Sequence, residues 1–227
     1  MGEAAKSSDP RMVSYYAARA PEYDRIYQKP ERQADIADLR ERLPALFAGK
    51  RVLEIACGTG FWTQFIAPTT RAMVALDAAP QTMAIAAQRV AADKVRFVTG
   101  DAYMLPTDLG RFDAAFAGFW FSHVPQARQR EFLQGLGAVL QPGALVVLLD
   151  NRYVPGSSTP IAQTDANGDS YQLRPLDDGS EHRVLKNFPS QARLRQLLDG
   201  LGDEPVLTEL AYYWVLQYRV VAQASMT

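Results

Sequence analysis

Between residues 51 and 150, short runs that are apolar along almost their whole length alternate with stretches of helical spacing. The strand-like runs are Arg51–Ala56, Ala72–Asp77, Val95–Thr99, Phe112–Gly118 and Ala144–Leu149. Between them lie Trp62–Ala67, the alanine-rich Pro80–Ala92 and Gln126–Leu140, which have the pattern of helices. A strand with one wet face would alternate polar and apolar residues, so runs apolar at every position indicate strands buried on both faces. Joined by helices, such strands form a parallel sheet between two helical layers.

The segments around this block read differently. Residues 1 to 10 have the composition of a frayed tail. A helical stretch over 11–27 is interrupted at Pro21, which suits the first turn of a second short helix carrying Glu22 and Asp24 near its start. Ile36, Leu39, Leu43 and Leu46 place a further helix over about 31–47, with Gly49 as its stop. After Asp150 the alternation ends. Residues 151–189 are rich in Pro, Gly, Ser, Thr and Asp, and Ser170–Leu176 and Glu181–Lys186 flank Asp177-Asp-Gly-Ser180. Asp-Gly accepts the positive φ of a tight turn, so a β-hairpin is expected there. Ser190 is placed to cap a helix over about 190–201, and two strands, 206–212 and 214–222, close the chain.

At 227 residues and 48% hydrophobic, the chain has material for one domain with a lid or insertion. The net charge of −1 is spread without a dense basic tract, which argues against a nucleic-acid partner. No apolar run approaches bilayer length, the N-terminus lacks the core of a signal peptide, and the single cysteine, Cys57, leaves no disulfide framework or cysteine zinc site. A cytoplasmic protein with no membrane partner and no metal is expected. The oligomeric state is not legible.

In a parallel sheet ligands sit beyond the carboxyl ends of the strands. The informative polar residues fall there: Glu54–Gly60, Asp77, Gly100-Asp101-Ala102 and Phe119–His123. A dinucleotide site would want a third small residue after Gly58-Thr-Gly60, but Phe61 and Trp62 follow. Glu54 would also repel a pyrophosphate, whereas it could accept a hydrogen bond from an ammonium group or a water. A cofactor with an ammonium, a sulfonium and a ribose but no phosphate fits better.

Val52-Leu-Glu-Ile-Ala-Cys-Gly-Thr-Gly60 resembles the first motif of the class I S-adenosylmethionine-dependent methyltransferases. Ala75-Leu-Asp77, Gly100-Asp-Ala-Tyr-Met-Leu-Pro106, Phe112-Asp113 and Leu140-Gln-Pro-Gly-Ala144 resemble its later motifs, so the likeness covers about 50–150. It implies a Rossmann-like fold: a seven-stranded, mostly parallel sheet flanked by helices, with an N-terminal helical lid over 1–49. Residues 50–227 would form the cofactor-binding α/β domain, and 151–188 an insertion covering the acceptor or, alternatively, a dimer contact.

The resemblance also implies roles. The backbone at Ala56, Gly58 and Gly60, with Glu54, would meet the methionine end of S-adenosylmethionine. Asp77, followed by Ala78, would accept from the ribose, Asp101 from the adenine amino group, and the Ala102 amide would donate to the ring. Met83 and Tyr103 would pack on the adenine, although Met83 suits the core equally, and Phe119 would line the site. Ala56 stands where the family often has glycine. Cys57 reads as a small apolar filler.

Methyl transfer needs a base only when the acceptor is protonated at attack. His123 is the candidate base or orienting residue. Tyr16 and Arg19 would face the ligand from the lid, and Trp120, Asn151, Tyr153, Tyr171 and Arg174 would contact the acceptor. The expected activity is N- or O-methylation of a small molecule. The alternatives are a protein or RNA acceptor, or a non-catalytic S-adenosylmethionine-binding module.

Overall fold

A computed structural model describes residues 7–91 and 93–221. Seven strands form one sheet in the order β3-β2-β1-β4-β5-β10-β9: β1 Arg51–Ile55, β2 Ala72–Asp77, β3 Val95–Thr99, β4 Phe112–Gly118, β5 Leu140–Asn151, β9 Gly202–Glu209 and β10 Tyr213–Val220. The pairings among β1 to β5 are parallel, and β10 is antiparallel to both of its neighbours. Strand order reverses between β1 and β4, which pair in register from Val52 with Ala114 to Ile55 with Ala117. That reversal opens a crevice at their carboxyl ends.

Successive side chains leave a strand on opposite faces, so each buried strand feeds two cores. Leu53, Ile55, Ala115, Ala117, Val146 and Leu148 join one, beneath α5 (Gln129–Ala138) and α6 (Gln191–Leu197). Val52, Ala114, Phe116, Leu145, Val147 and Leu149 join the other, beneath α2 (Gln33–Phe47). Ile36, Leu39, Leu43 and Phe47 of α2 are fully buried there, so α2 is a layer of the sandwich. The part of the expected lid that lies over the crevice is α1 (Pro10–Arg19) and the 3-10 turns Ala20–Tyr27 that follow Pro21's break.

Three differences from the sequence expectation have local causes. Ser8 is buried, held by hydrogen bonds from its amide and hydroxyl to Asp101, and Asp9 caps α1 through the Arg11 amide. The chain is therefore docked from Ser8 onward; residues 1–6 lie outside the described residues. Strand β9 begins at Gly202 although Gly202 and Pro205 are ordinarily breakers. It is an edge strand with a register shift that leaves Pro205 outside the paired positions, and a Cβ at Gly202 would fall 2.4 Å from the Tyr218 ring. The expected ends of α4 (Pro80–Arg89) at Ala92 and of β10 at Ala222 fall outside the described residues.

Residues 151–188 form a second, three-stranded antiparallel sheet: β6 Gln163–Thr164, β7 Ser170–Pro175 and β8 Glu181–Leu185. Gly179 takes φ +84° in the β7–β8 turn, the role expected of the Asp-Gly pair. Among the described residues no helix is long and apolar enough to cross a membrane, and no cluster of His, Cys, Asp or Glu could hold a metal.

Candidate functional site

The glycine turn after β1 is bent by three left-handed residues, Ala56 (φ +53°), Gly58 (+56°) and Gly60 (+73°). At Gly60 the cause is packing: a Cβ would stand 2.8 Å from that of Ala86 on α4. At Gly58 a Cβ would meet nothing within 4 Å, so that side of the turn is open to a ligand. Asp77, at the end of β2, ties the turn down. Its Oδ2 accepts from the Gly58 amide at 2.8 Å, and its Oδ1 from the Ala79 amide at 2.8 Å and the Thr82 hydroxyl at 3.2 Å. The Ala78 amide is a further donor beside this carboxylate, which offers about four acceptor sites in all. Burial pushes the Asp77 carboxyl up from its ordinary value, against the pull of these bonds.

A cavity of about 660 Å³, counting its mouth, opens beside this turn. Ala56, Gly58, Asp77, Ala78, Ala102 and Phe119 line its floor, and Met12, Val13 and Tyr16 of α1 form its roof. Its lining contains one carboxylate, Asp77, and neither lysine nor arginine. The Trp120 indole N–H beside it has no hydrogen-bond partner among the described residues. A phosphate would find no countercharge here. A phosphate-free, cationic ligand with a diol and an aromatic base fits the donors and acceptors present.

A second cavity, about 940 Å³, lies between α1, the following 3-10 turns and the 151–188 insertion. Tyr16, Tyr23, Phe119 and His123 line both cavities and form the wall between them. Phe119 is held at φ +59°, a costly conformation for a large side chain, with its amide bonded to the Leu149 carbonyl at 2.7 Å.

The His123 ring is fixed from both sides. Nδ1 lies 2.5 Å from the Leu185 carbonyl of β8, which can only accept, so Nδ1 carries the proton. Nε2 then accepts from the Tyr16 hydroxyl at 2.8 Å. Burial, with Lys186 and Arg174 nearby, holds the imidazole well below its ordinary pKa, so the ring is neutral. Burial likewise keeps the Tyr16 phenol protonated.

The second cavity is cationic. Arg19, Lys29, Arg32, Arg174 and Lys186 line it, and no carboxylate does. Arg32 donates to Asn151 and Ser157, each at 3.0 Å, and Lys29 to the Ser157 carbonyl at 2.7 Å. Arg174 donates to Gln172 at 2.7 Å and to the Tyr16 hydroxyl at 3.4 Å. Arg19 lies over the Tyr15 and Tyr23 rings at 5.7 and 5.2 Å. Lys186, only 4% exposed, pairs with the fully buried Asp150 at 2.8 Å and donates to Ser122 at 2.6 Å, which fastens the insertion to the end of β5.

The residues singled out in the sequence thus divide. Tyr16, Ala56, Gly58, Asp77, Ala78, Ala102, Phe119 and Trp120 meet at the first cavity, and Arg19, Asn151 and Arg174 at the second, with Tyr16, Phe119 and His123 shared. Trp120 is on the first cavity's side, not the second's. Glu54 lies under the turn, accepting from Thr63 at 2.7 Å, and burial raises its carboxyl to about 8. Gly60 and Met83 are packing positions between the turn, α4 and the core. Asp101 holds Ser8, and the Arg128 guanidinium covers Tyr103 at 3.6 Å. Tyr153 is 41% exposed against Phe188, and Tyr171 bonds Asp165 on the outer side of the hairpin.

Lys29, Arg32 and Ser157, absent from the sequence reading, are as central to the second cavity as any residue in it. Nothing local marks them, since cations before an amphipathic helix ordinarily face water. The break at Pro30, ahead of α2, is the one signal that this stretch leaves the helical surface.

Residues 52–143 match the model of a family described as "Methyltransferase domain". A demethylmenaquinone methyltransferase of Clavibacter sepedonicus is 34% identical over 168 residues, 74% of this chain and 65% of that protein. One from Shouchella clausii is 33% identical over 109 residues, 45% of this chain and 46% of that protein. The chain therefore spans about half to two thirds of the length of these curated relatives. Among solved structures, the DhpI–SAH complex superposes with a TM-score of 0.74 at 29% identity, covering 94% of this chain and 97% of that one.

Proposed function

We propose, taking the chain as the class I S-adenosylmethionine-dependent methyltransferase that its fold and its domain over residues 52–143 make it, that it moves a methyl group from S-adenosylmethionine to nitrogen or oxygen of a small molecule. The observation that carries this is the shared wall. Two cavities meet at Tyr16, Tyr23, Phe119 and His123, the first beside the glycine turn at the crevice and the second under the insertion. Bound in the first cavity, S-adenosylmethionine supplies a methyl carbon activated by its sulfonium. The open side of Gly58, the Asp77 carboxylate, the Ala102 backbone and the unpartnered Trp120 N–H are the groups that would hold it.

On this reading the N-terminal turns and α1 act as a lid, residues 151–188 cover the acceptor, and Tyr16 and His123 orient it. The modest size of the second cavity, about 940 Å³ counting its mouth, favours a small molecule over a protein or RNA strand. The buried, unpaired Cys57 suits a reducing, cytoplasmic setting. Alignment and exclusion of water are what these residues offer the reaction, and orientation alone can contribute roughly 7–11 kcal/mol.

Calorimetry with S-adenosylmethionine, followed by a screen of small acceptors for S-adenosylhomocysteine formation, tests the reading. Asp77→Ala should weaken cofactor binding by about 1.5–3 kcal/mol, the range for a hydrogen bond to a charged group. Unchanged affinity in that variant would remove Asp77 from the cofactor site. Binding without turnover on any acceptor would leave a binding module.

A further inference from the structure

We infer that the acceptor is a small oxyanion, of the carboxylate or the phosphate type, and that one of its charged oxygens receives the methyl group. The inference rests on the methyltransferase reading above and narrows it.

Two independent features of the second cavity point the same way. The first is charge. Lys186 is neutralised by Asp150, but Arg19, Lys29, Arg32 and Arg174 have no carboxylate within ion-pair distance among the described residues. The four cations donate to Ser157, Asn151, Gln172 and Tyr16 or lie on aromatic faces, and Glu31, which also bonds Ser157, acts on Lys29 from outside the lining. They act on one another: burial and then Arg32 push the Lys29 ammonium down, and burial with Arg174 and Arg32 lowers Lys186 to about 8 despite Asp150. An anion entering here would relieve that repulsion, and guanidinium forks match the flat or tetrahedral oxygens of a carboxylate or phosphate. An ammonium acceptor would be repelled.

The second feature is the missing base. His123 is the one imidazole lining the cavity; its Nδ1 proton is given to Leu185, and its Nε2 is occupied by the Tyr16 hydroxyl. No carboxylate lines the cavity to take a proton instead. No free base faces the cavity: a proton would have to be relayed through the Tyr16 hydroxyl to His123 Nε2, whereas an oxyanion has none to lose. Arg174, bonded to the Tyr16 hydroxyl, brings that oxygen to the wall shared with the first cavity. There an oxygen lone pair forms the C–O bond as the S–C bond breaks. The S–C electron pair stays on sulfur as a neutral thioether, no proton is transferred, and the product is a methyl ester carrying one negative charge fewer.

The test uses the full chain loaded with S-adenosylhomocysteine. Calorimetry would compare three matched series of small aliphatic ligands: carboxylic acids, phosphate or phosphonate monoesters, and the corresponding amides, alcohols and amines. The expectation is binding by one or both anionic series and none by the neutral or amine series. Arg174→Gln and, separately, Lys29→Gln should each weaken anion binding by roughly tenfold or more. Lys94→Gln, an exposed cation outside the cavity, should leave it unchanged. Comparing the two acidic series shows which oxyanion is preferred.

With S-adenosylmethionine in place of the product, the bound acid should yield its methyl ester by mass spectrometry. Amines or neutral compounds binding as well as acids, anion affinity unmoved in both cavity variants, or a methyl group found on nitrogen or carbon would each overturn the inference. Failure of S-adenosylmethionine itself to bind would sink the underlying reading instead, and anion binding to the unloaded chain would still be measurable.

Discussion

The two cavities share a wall and a roof, yet they are electrostatic opposites. The first is bordered by one carboxylate and no cation, with a second acid, Glu54, buried beneath its turn. The second is bordered by five cations and no carboxylate. A positively charged methyl donor and a negatively charged acceptor would each find the opposite sign, and each would be disfavoured in the other's place. On the proposed reading, such a site would sort its ligands by charge as well as by shape.

The acid under the turn gives the largest expected effect. Burial raises Glu54 from 4.5 to about 8, so the folded protein holds this proton where the unfolded chain has released it. Its contribution to stability is full below about pH 4.5, falls as pH rises through that interval, and is lost above about 8, a decline on the order of 5 kcal/mol. Denaturant titrations of wild type and Glu54→Gln at acid and mildly alkaline pH should show this decline only in wild type.

On the cationic side, Lys186→Met strands Asp150 in the core and should cost about 3–5 kcal/mol in the same titrations. Adding Asp150→Leu should recover much of it. Because that pair fastens the insertion, acceptor binding should suffer while S-adenosylmethionine binding is largely spared; equal losses would show that the two cavities are not separable.

At the shared wall, Tyr16→Phe removes the donor that holds His123 Nε2, at a cost of about 1 kcal/mol. The vacated nitrogen should take a proton more readily, moving the His123 titration seen by NMR upward toward its ordinary value. The smallest change is Ala56→Gly. Relief of left-handed strain, about 1–2 kcal/mol, is offset by glycine's greater unfolded freedom, about 0.5–1, so a net gain within about 1 kcal/mol is expected on thermal unfolding.

The sheet was legible because its signal is local: each strand is apolar through its length, and the turns are punctuated by Gly, Asp and Pro. The glycine turn and Asp77 were legible for the same reason, since both sit at strand ends. What escaped depends on contacts between distant segments. Met83 is indistinguishable in sequence from a cofactor contact until α4 is packed, and Asp101 is claimed by Ser8, ninety-three residues away. The cations of the second cavity come from the end of α1, the stretch before α2, β7 and the residue after β8, so no short window of sequence contains them all. Its positive sign is invisible in a chain whose net charge is −1.

One helix closes both cavities. Met12 and Val13 of α1 cover the first, Tyr15 and Arg19 the second, Tyr16 reaches both, and Ser8 just ahead of the helix is latched to Asp101. If α1 is the lid proposed above, raising it would unseal donor and acceptor together, so that admission, shielding from hydrolysis and discharge would be phases of a single cycle of motion. Turnover would then be paced by how often the Ser8 latch lets go, a frequency set far from the atoms between which the methyl group would pass.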